Sequence, residues 1–344
     1  MTEERTLLAD TAARLFTELA QTPQLSFESG WSKADELGLP RLMVDEGSGG
    51  IGGGWADLLA IQWEAGRRAS TLPLGEAIVA NWMCLRAGLE IHDGFGSVAL
   101  DVHGQLQDQR FTGTFKNVPA GRHATWVIGV LADGSPIRLR LTHGQIEPAE
   151  NLAGEPRDTL VFSNAQCERG SLRSSAADMH ANTLLGALLR LGQISGALTR
   201  ALEMTTEHVT QRVQFGKRLG AFQSVQQQLA VFAIETTAAG CAARAACDAA
   251  DRAGFPEAAW YAISAAKLRA NLAIGVATAT AHQLHGAIGF TREHSLHPLT
   301  RRLWAWRTEA GNDRFWSARL GSYVASRGAD AIWADAVDAS IDYS

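Results

Sequence analysis

The residues with the clearest chemical potential lie in the segment QRVQFGKRLGAFQSVQQQ, at positions 211–228, between two long helical patterns. Arg212, Lys217 and Arg218 place positive charge beside an aromatic ring, Phe215, where a helical bundle would turn. Gly216 and Gly220 can supply the positive φ angles that a helix end needs. Such a turn suits a pyrophosphate and a flat ring, although a solvated basic turn explains the same residues equally well.

The histidines offer a second chemistry. His282 and His285 are three residues apart on one predicted helix, as are His294 and His297 further on. A zinc site needs additional Cys, His or acidic ligands at suitable spacing, and neither an H-E-x-x-H motif nor a cysteine pair is present. We therefore predict no metal site and interpret these histidines as polar helix positions.

The stretch GSGGIGGG, at positions 47–54, raises the possibility of a phosphate-binding loop. Such a loop is informative only inside a strand–loop–helix unit with an acidic residue about 20 residues further on. The run LPRLMV before it is β-like and WADLLAIQWEAGRR after it is helical, but an apolar helical stretch follows where the second strand should end. The pattern favours a turn that needs glycine conformations.

Composition limits the possible partners. The chain has 344 residues, 46% of them hydrophobic and 19% charged, and a formal net charge of -5, which offers no attraction for nucleic acid or anionic membranes. Its four cysteines form no disulfide-like framework, the N-terminus lacks a signal-peptide core, and no run of about 18 apolar residues occurs. These features predict a cytoplasmic protein with no nucleic-acid or membrane partner.

The elements that must position these residues fall into three regions. A helical N-terminal domain is predicted over 1–92, a small β-domain over 93–174 and a C-terminal helical bundle over 175–344, so the fold class is α+β. In the middle region the runs SVALDV, RFTGTF, TWVIGVLA, PIRLRLT and DTLVFSNAQ are separated by the turn signals HGQ, VPAG, ADGS and THGQ.

Long helices are predicted in the last region. Leucines and an isoleucine recur at gaps of three and four from Leu184 to Leu202, which places them on one helix face. Two further helices, about 222–253 and 256–285, are rich in alanine. Small side chains allow close antiparallel packing, so a four-helix bundle is the natural architecture.

Three segments resemble the acyl-CoA dehydrogenase family. The 211–228 turn is similar to that family's R-x-x-F-G…F-Q…Q-x-x-L-A turn, and QLHGAIGFTREHSLHPLTRRLW is similar to its Q-x-x-G-G-x-G…E motif, with Ala287 in place of one glycine. The segment LGLPRLMVDEGSGGIGGGWADL resembles the family's LGL…PEE-x-GG-x-G segment, in which the glycine loop is structural. The α–β–α order agrees as well.

The resemblance implies a cofactor and a reaction. The family binds FAD non-covalently between the β-domain and the bundle, and a neighbouring subunit reaches across to it. A carboxylate removes the α-proton of an acyl-CoA substrate while the β-hydrogen leaves as hydride to the flavin, and an electron-acceptor flavoprotein then takes the electrons. The positions that match FAD-binding residues of the family are Arg212, Phe215, Gln223, Gln283, His285, Gly286 and Asn312.

Two departures concern the flavin-facing part of the middle domain. The family's T-E-P loop and the following G-S-D are missing from SVALDVHGQLQDQRFTG. The family's W-[IVS]-[ST] stretch, which hydrogen-bonds the flavin, falls on residues 117–119, and Pro119 has neither a backbone N–H nor a hydroxyl. The part that reaches across to a partner is intact.

That asymmetry resembles the short chains of heteromeric acyl-CoA dehydrogenases that act on steroid side chains and similar bulky acyl-CoAs. The resemblance therefore implies a homologous partner subunit, or else self-association. Two alternatives stay open: a flavin monooxygenase or oxidase of the same fold, and an assembly subunit that binds no flavin.

The catalytic base is the least determined residue. One family position for the carboxylate aligns near Gly186, where the chain has no acid, and the other aligns on Ala310, one residue after Glu309. Glu309 is the candidate base, but a shift of one residue on a helix turns a side chain by about 100°, so a local bulge would be needed. The alternative is that Glu309 caps a helix, or pairs with Arg307 or Arg314, near a helix boundary.

Overall fold

The computed structural model describes residues 3–22, 24–171, 181–254, 259–328 and 330–331. They form two compact units. The bundle unit comprises Met1–Phe16, Leu59–Ser70 and Ala187–Ser344, and the sheet unit comprises Thr17–Leu58 and Thr71–Gly186. The predicted boundary between β-domain and bundle, at 174/175, lies outside the described residues, and the three-domain division stays a prediction.

Nine helices are found in the described ranges. Those that begin in the first hundred residues are α1 (Glu3–Gln21), α2 (Phe27–Glu36), α3 (Trp55–Arg67) and α4 (Leu74–Arg86). The later ones are α5 (Ala181–Gln211), α6 (Gln223–Ala253), α7 (Trp260–His285), α8 (Leu296–Thr308) and α9 (Asp313–Arg327). The predicted start of the third long helix, near Pro256, lies outside the described residues, and that helix is described from Trp260 onward.

A seven-stranded sheet forms the centre of the sheet unit. Its strands are β1 (Gly96–Ala99), β2 (Asp101–Gln107), β3 (Arg110–Pro119), β4 (Trp126–Val130), β5 (Pro136–Arg140), β6 (Gly144–Glu147) and β7 (Arg157–Arg169). The order is β1-β4-β5-β7-β3-β2, with β6 also pairing with β7. β1 and β4 are parallel, and the other pairs are antiparallel.

Alternating side chains of β7 build the sheet core. Leu160 and Phe162 are buried, and after an irregularity at Asn164, whose φ is 50°, Ala165 and Cys167 are buried. As in a β-bulge, the extra residue shifts the alternation of side chains by one position, so that Ala165 and Cys167 lie on the core side of the strand. Three sequence expectations need correction here. SVALDV is split between β1 and β2, the predicted turn HGQ lies inside β2, and the predicted turn THGQ contains the start of β6 at Gly144.

The glycine loop is structural, as expected. Gly50 donates its backbone N–H to the Asp45 carbonyl, Gly52 to Val44 and Gly53 to Leu42, so these groups are not presented to a phosphate. A Cβ on Gly50 would lie 2.1 Å from the Val44 carbonyl oxygen. The β-like reading of LPRLMV was wrong, because the segment begins with a 3₁₀ turn, Leu39–Arg41, that holds this loop in place.

Close backbone packing joins α3 and α5 within the bundle unit. A Cβ on Gly66 would lie 2.0 Å from the Gln193 carbonyl oxygen, and one on Gly196 would lie 1.9 Å from that of Trp63. Glycine at these positions therefore permits a helix contact that any side chain would prevent. The predicted α+β fold class, with N-terminal helices, a small sheet and C-terminal helices, is confirmed.

The α6 helix bears on the expected absence of a membrane-spanning segment. By length and composition it is apolar enough to cross a membrane, and it is the single helix in the described ranges that meets this test. The search for uninterrupted apolar runs did not detect α6, because glutamine and threonine residues interrupt its alanines. Core helices of bundles pass the same test, and Phe232, Ala239, Ala243 and Ala246 of α6 are buried.

Candidate cofactor and catalytic site

The predicted basic turn is a short β-hairpin. Val213–Gln214 (β8) pairs with Lys217–Arg218 (β9). The two central residues, Phe215 and Gly216, have φ values of 55° and 82°. Positive φ at both positions is the signature of the tight hairpin turn that matches strand twist. Gly220 does not have a positive φ, so only Gly216 plays the expected part.

Phe215 is held in an unusual state at the tip of this hairpin. Its side chain is 88% exposed, and a positive φ on an aromatic residue costs about 1–3 kcal/mol. Beside it, the Lys217 ammonium lies 4.2 Å from the centre of the Phe222 ring. Arg212, also exposed, donates its backbone N–H to the His208 carbonyl at 2.9 Å and accepts one from Leu219. An exposed ring in a costly backbone conformation indicates a surface that contacts another molecule.

The second motif ends helix α7. Gln283 is exposed, His285 is buried, and Gly286 has φ 65° and ψ −147°, a backbone region that is essentially reserved for glycine. The following turn, Gly286–Phe290, returns over the helix so that the Phe290 ring stacks on His282 at 4.3 Å. Gln223 begins α6 and is exposed. The chain therefore leaves α7 through a backbone conformation that requires glycine at position 286.

Glu309 lies beyond the helix that was expected to contain it. α8 ends at Thr308, Glu309 is extended, and Ala310 has a φ of 52°. The Glu309 carboxylate accepts a hydrogen bond from Arg190 Nε at 2.7 Å. Of the two expected partners, Arg307 pairs with Asp313 instead.

Arg190 brings a cation to this turn from α5. It is buried, and its Nη1 also donates to Gln193 Oε1 at 2.6 Å. In sequence Arg190 follows Gly186 by one helical turn, and Gly186 is the other position that aligns with the family's catalytic carboxylate. The ion pair with Arg190 engages one carboxylate oxygen of Glu309, Oε2, in a charge-assisted hydrogen bond.

A buried lysine anchors the same turn. Lys267 of α7 is 0% exposed, and its Nζ donates to Asn271 Oδ1 at 2.8 Å and to the carbonyls of Trp306, Arg307 and Gly311 at 3.1–3.3 Å. Burial lowers the pKa of Lys267 to about 7. Sequence reasoning missed this residue, although a lone lysine on the alanine-rich, inward side of α7 was the available signal.

Asn312 caps a helix. Its side-chain oxygen accepts the Phe315 N–H at 3.0 Å and so caps the start of α9. The Trp316 indole donates to the Ala310 and Gly311 carbonyls at 3.1 Å. The turn between α8 and α9 is therefore held by side chains from three helices.

In the sheet unit, Pro119 ends β3 and is buried. Ser97 Oγ donates to the Pro119 carbonyl at 2.6 Å. Val118 and Ala120 on either side are also buried, and Ala120 has a left-handed conformation. Proline has no N–H to offer, so this stretch cannot make the backbone bond expected at the matching family position. Among the described residues, no group of three or more His, Cys, Asp or Glu could hold a metal ion.

Comparison with known proteins supports the resemblance. Residues 179–316 match the family model "Acyl-CoA dehydrogenase, C-terminal domain". The acyl-CoA dehydrogenase IpdE2 of Mycobacterium tuberculosis is 27% identical over 326 residues, covering 87% of this chain and 91% of that protein.

Solved structures agree in fold. The ChsE4-ChsE5 complex from Mycobacterium tuberculosis matches with a TM-score of 0.82 and 20% identity, over 96% of this chain and 99% of the matched one. The Tcur3481-Tcur3483 steroid ACAD variant matches with a TM-score of 0.75 and 22% identity, over 94% and 98%. Residues 179–316 thus match the C-terminal domain of the acyl-CoA dehydrogenase family, most of the chain is similar to oxidoreductases of that family, and the cofactor of that family is FAD.

Proposed function

We propose that the chain is the short subunit of a heteromeric, FAD-dependent acyl-CoA dehydrogenase that desaturates a bulky acyl-CoA such as a steroid side-chain thioester. The observation that carries the proposal is the exposed, strained Phe215 beside Arg212, on a hairpin that matches the family's cross-subunit FAD motif. Two of the structural relatives are two-chain assemblies, and one of these is described as a steroid enzyme. A cytoplasmic setting and an electron-acceptor flavoprotein belong to the same proposal.

The residues of the bundle unit fit the cofactor. Arg212 offers charge for the pyrophosphate, Phe215 offers a ring face, and the backbone around Gly286 permits a close approach. Gln223, Gln283 and His285 lie on the same two motifs, whereas Asn312 already uses its side-chain oxygen as a helix cap. Bound FAD supplies hydride acceptance during desaturation. In the sheet unit, Pro119 does not fit the flavin-facing role.

The acidic residue of the active site comes from the partner in this proposal. Ala310 stands at the aligned base position, and Glu309 is engaged by the buried Arg190. What this chain contributes is the rigid turn held by Lys267 and the groups that orient FAD. Proton removal from the acyl α-carbon is assigned to a carboxylate of the homologous subunit.

The outer surface of α6 and α7 supports assembly with that subunit. Val231 and Ile234 on α6 and Leu272 and Val276 on α7 are between 37% and 66% exposed. The exposed residues recur at gaps of three or four, so each helix has an uncovered apolar stripe in addition to its core-facing side. Exposed apolar stripes of this kind are more stable when they pack against a second bundle than when they contact water.

We expect Arg212→Ala to weaken FAD affinity of the assembled enzyme by about tenfold to a hundredfold, since a charge-assisted phosphate contact is worth about 1.5–3 kcal/mol. Equilibrium dialysis with flavin absorbance measures the effect. Arg244→Ala, at an exposed position of α6, is the matched control. Equal FAD affinity in both variants would remove Arg212 from the cofactor site.

We expect Glu309→Gln to keep the turnover rate within about threefold, because the amide oxygen still accepts the Arg190 bond, whereas loss of a positioned base costs about 10²–10⁴. Anaerobic flavin bleaching with a bulky acyl-CoA in the assembled enzyme reports this rate. The control is Glu147→Gln on the exposed strand β6. A loss of several orders of magnitude with FAD still bound would make Glu309 the base.

A further inference from the structure

Strand β2 forms an uncovered edge of the seven-stranded sheet. It is the last strand in the sheet order, and one of its sides pairs with β3 over its whole length, from Asp101–Lys116 to Gln107–Arg110. Its other side pairs with no strand of the described residues. At such an edge, backbone N–H and C=O groups point outward and can pair with a further strand.

The edge lacks the features that usually protect an exposed strand. Proteins discourage edge pairing with lysine, proline, a β-bulge or a very short strand. β2 has the sequence DVHGQLQ, which contains neither lysine nor proline, and its register with β3 is uninterrupted. β1, at the opposite end of the order, and β6 have 4 residues each, whereas β2 has 7. An unprotected edge of this length favours pairing with another strand.

The sequence of β2 is complementary to a second copy of itself. In an antiparallel pair centred on Gly104, apolar residues face apolar residues and polar residues face polar ones; the opposed pairs are Val102–Leu106, His103–Gln105 and Asp101–Gln107. No two like charges face each other in this register. Moving one strand by two residues would place Val102 opposite Asp108 or Gly104 instead. The register centred on Gly104 is therefore favoured over its neighbours.

The inner face of the strand provides space for the same register. Val102 and Leu106 are partly buried and pack against the hydrophobic core of the sheet unit. A cleft of about 670 Å³ borders the strand, and its walls include residues 104–108 and the turn Leu131–Asp133 after β4. In the pair centred on Gly104, Val102 of the second copy lies next to Leu106 at this cleft. The cleft therefore offers space for an apolar side chain that arrives from outside.

We propose that two copies of the chain associate through β2, as an antiparallel pair centred on Gly104 that joins their sheets into one. The proposal does not depend on the proposed function, because β2 contains none of the residues assigned to the cofactor or to proton transfer. A pair of 7-residue strands is a small interface, so we expect a weak dimer with a dissociation constant of about 10–100 μM.

The alternative is an edge that is covered only by water. His103, Gln105 and Gln107 are exposed and polar, so water can satisfy both these side chains and the outward backbone groups. The two cases differ in their response to charge. A strand pair brings the two copies of residue 105 to diagonal positions about 7–8 Å apart, so lysine there would face its own counterpart, whereas water tolerates lysine at this position.

Sedimentation velocity over a range of concentrations of the full-length chain tests the pairing. The background variant is Ile234→Glu, which places a charge on the exposed apolar stripe of α6 and so removes association through the bundle. We expect this background to form the weak dimer and Gln105→Lys to weaken it at least about tenfold. Gln145→Lys, at an exposed glutamine of the short strand β6, is the matched control and should leave dimerisation unchanged.

A disulfide test reads out the register. Cys241 is the exposed cysteine of the chain, so Cys241→Ala provides the background for it. A mixture of His103→Cys and Gln105→Cys chains, one of them carrying a size tag, should form the mixed disulfide dimer on mild oxidation, because these positions are directly opposed. A mixture of His103→Cys and Gln107→Cys chains should form far less of it, since these positions lie four residues out of register.

Several results would overturn the proposal. These are a monomer at every concentration in the Ile234→Glu background, equal dimerisation of Gln105→Lys and Gln145→Lys, and equal disulfide yields from the two mixtures. Association through β2 that requires a co-expressed partner chain would show a different occupant and would also reject self-pairing. Flavin content of the co-expressed assembly is a separate readout. A yellow, active assembly without pairing through β2 would leave the proposed function standing.

Discussion

Purified alone, the chain will carry less than about one FAD per ten copies, whereas co-expression with a fuller acyl-CoA dehydrogenase chain will yield a yellow complex. Loss of flavin-face contacts worth even about 3 kcal/mol lowers affinity by about a hundredfold. Pro119 cannot donate a backbone bond, and its carbonyl is already bonded to Ser97. The hairpin bearing Arg212 and Phe215 is exposed and so available to a cofactor held mainly by another chain.

Absorbance near the flavin bands, divided by the protein concentration, measures this occupancy before and after dialysis against FAD. The Arg212→Ala variant co-expressed with the same partner shows whether this chain contributes to retention. A stoichiometric flavin spectrum from the chain alone would contradict the shared-site model. A colourless co-expressed complex would favour the reading as an assembly subunit.

Lys267→Met is expected to have the largest effect on stability, lowering the free energy of unfolding by about 3 kcal/mol or more. Methionine keeps the volume but removes a donor that serves Asn271 and three backbone carbonyls, and each buried acceptor left unpaired costs about 1–3 kcal/mol. Urea denaturation should show a lower midpoint with an unchanged slope. Lys116→Met, at an exposed position of β3, is the control and should change little.

The same lysine predicts a pH dependence. Its folded-state pKa of about 7 lies below its ordinary value of 10.5, so between these values the unfolded chain binds more protons than the folded one. Stability of the wild-type protein should therefore rise with pH across that window, and Lys267→Met should lack this component. Equal pH slopes in the two proteins would show that Lys267 keeps an ordinary pKa when folded.

Local sequence patterns were sufficient to predict the helices, most of the strands and the two motifs. The leucine spacing of α5, the alanine content of α6 and α7 and the glycine loop each act over a few residues, within the range of one helical turn or one tight turn. The hairpin at Phe215 and Gly216 was predictable in part, because a glycine signals positive φ. That Phe215 shares this conformation was not predictable, since its side chain opposes it.

The tertiary structure alone decided which distant side chains meet. Arg190 reaches Glu309 across 119 residues, Lys267 reaches the Trp306 carbonyl across 39, and His208 stacks on His285. Sequence patterns predict periodicity and turns, but which polar groups pair depends on how the helices pack. Once these groups are buried, leaving one of them without a partner costs free energy, so the pairs must form. The sequence by itself therefore determined the family and the motifs, while the fold determined that Glu309 is tied to Arg190.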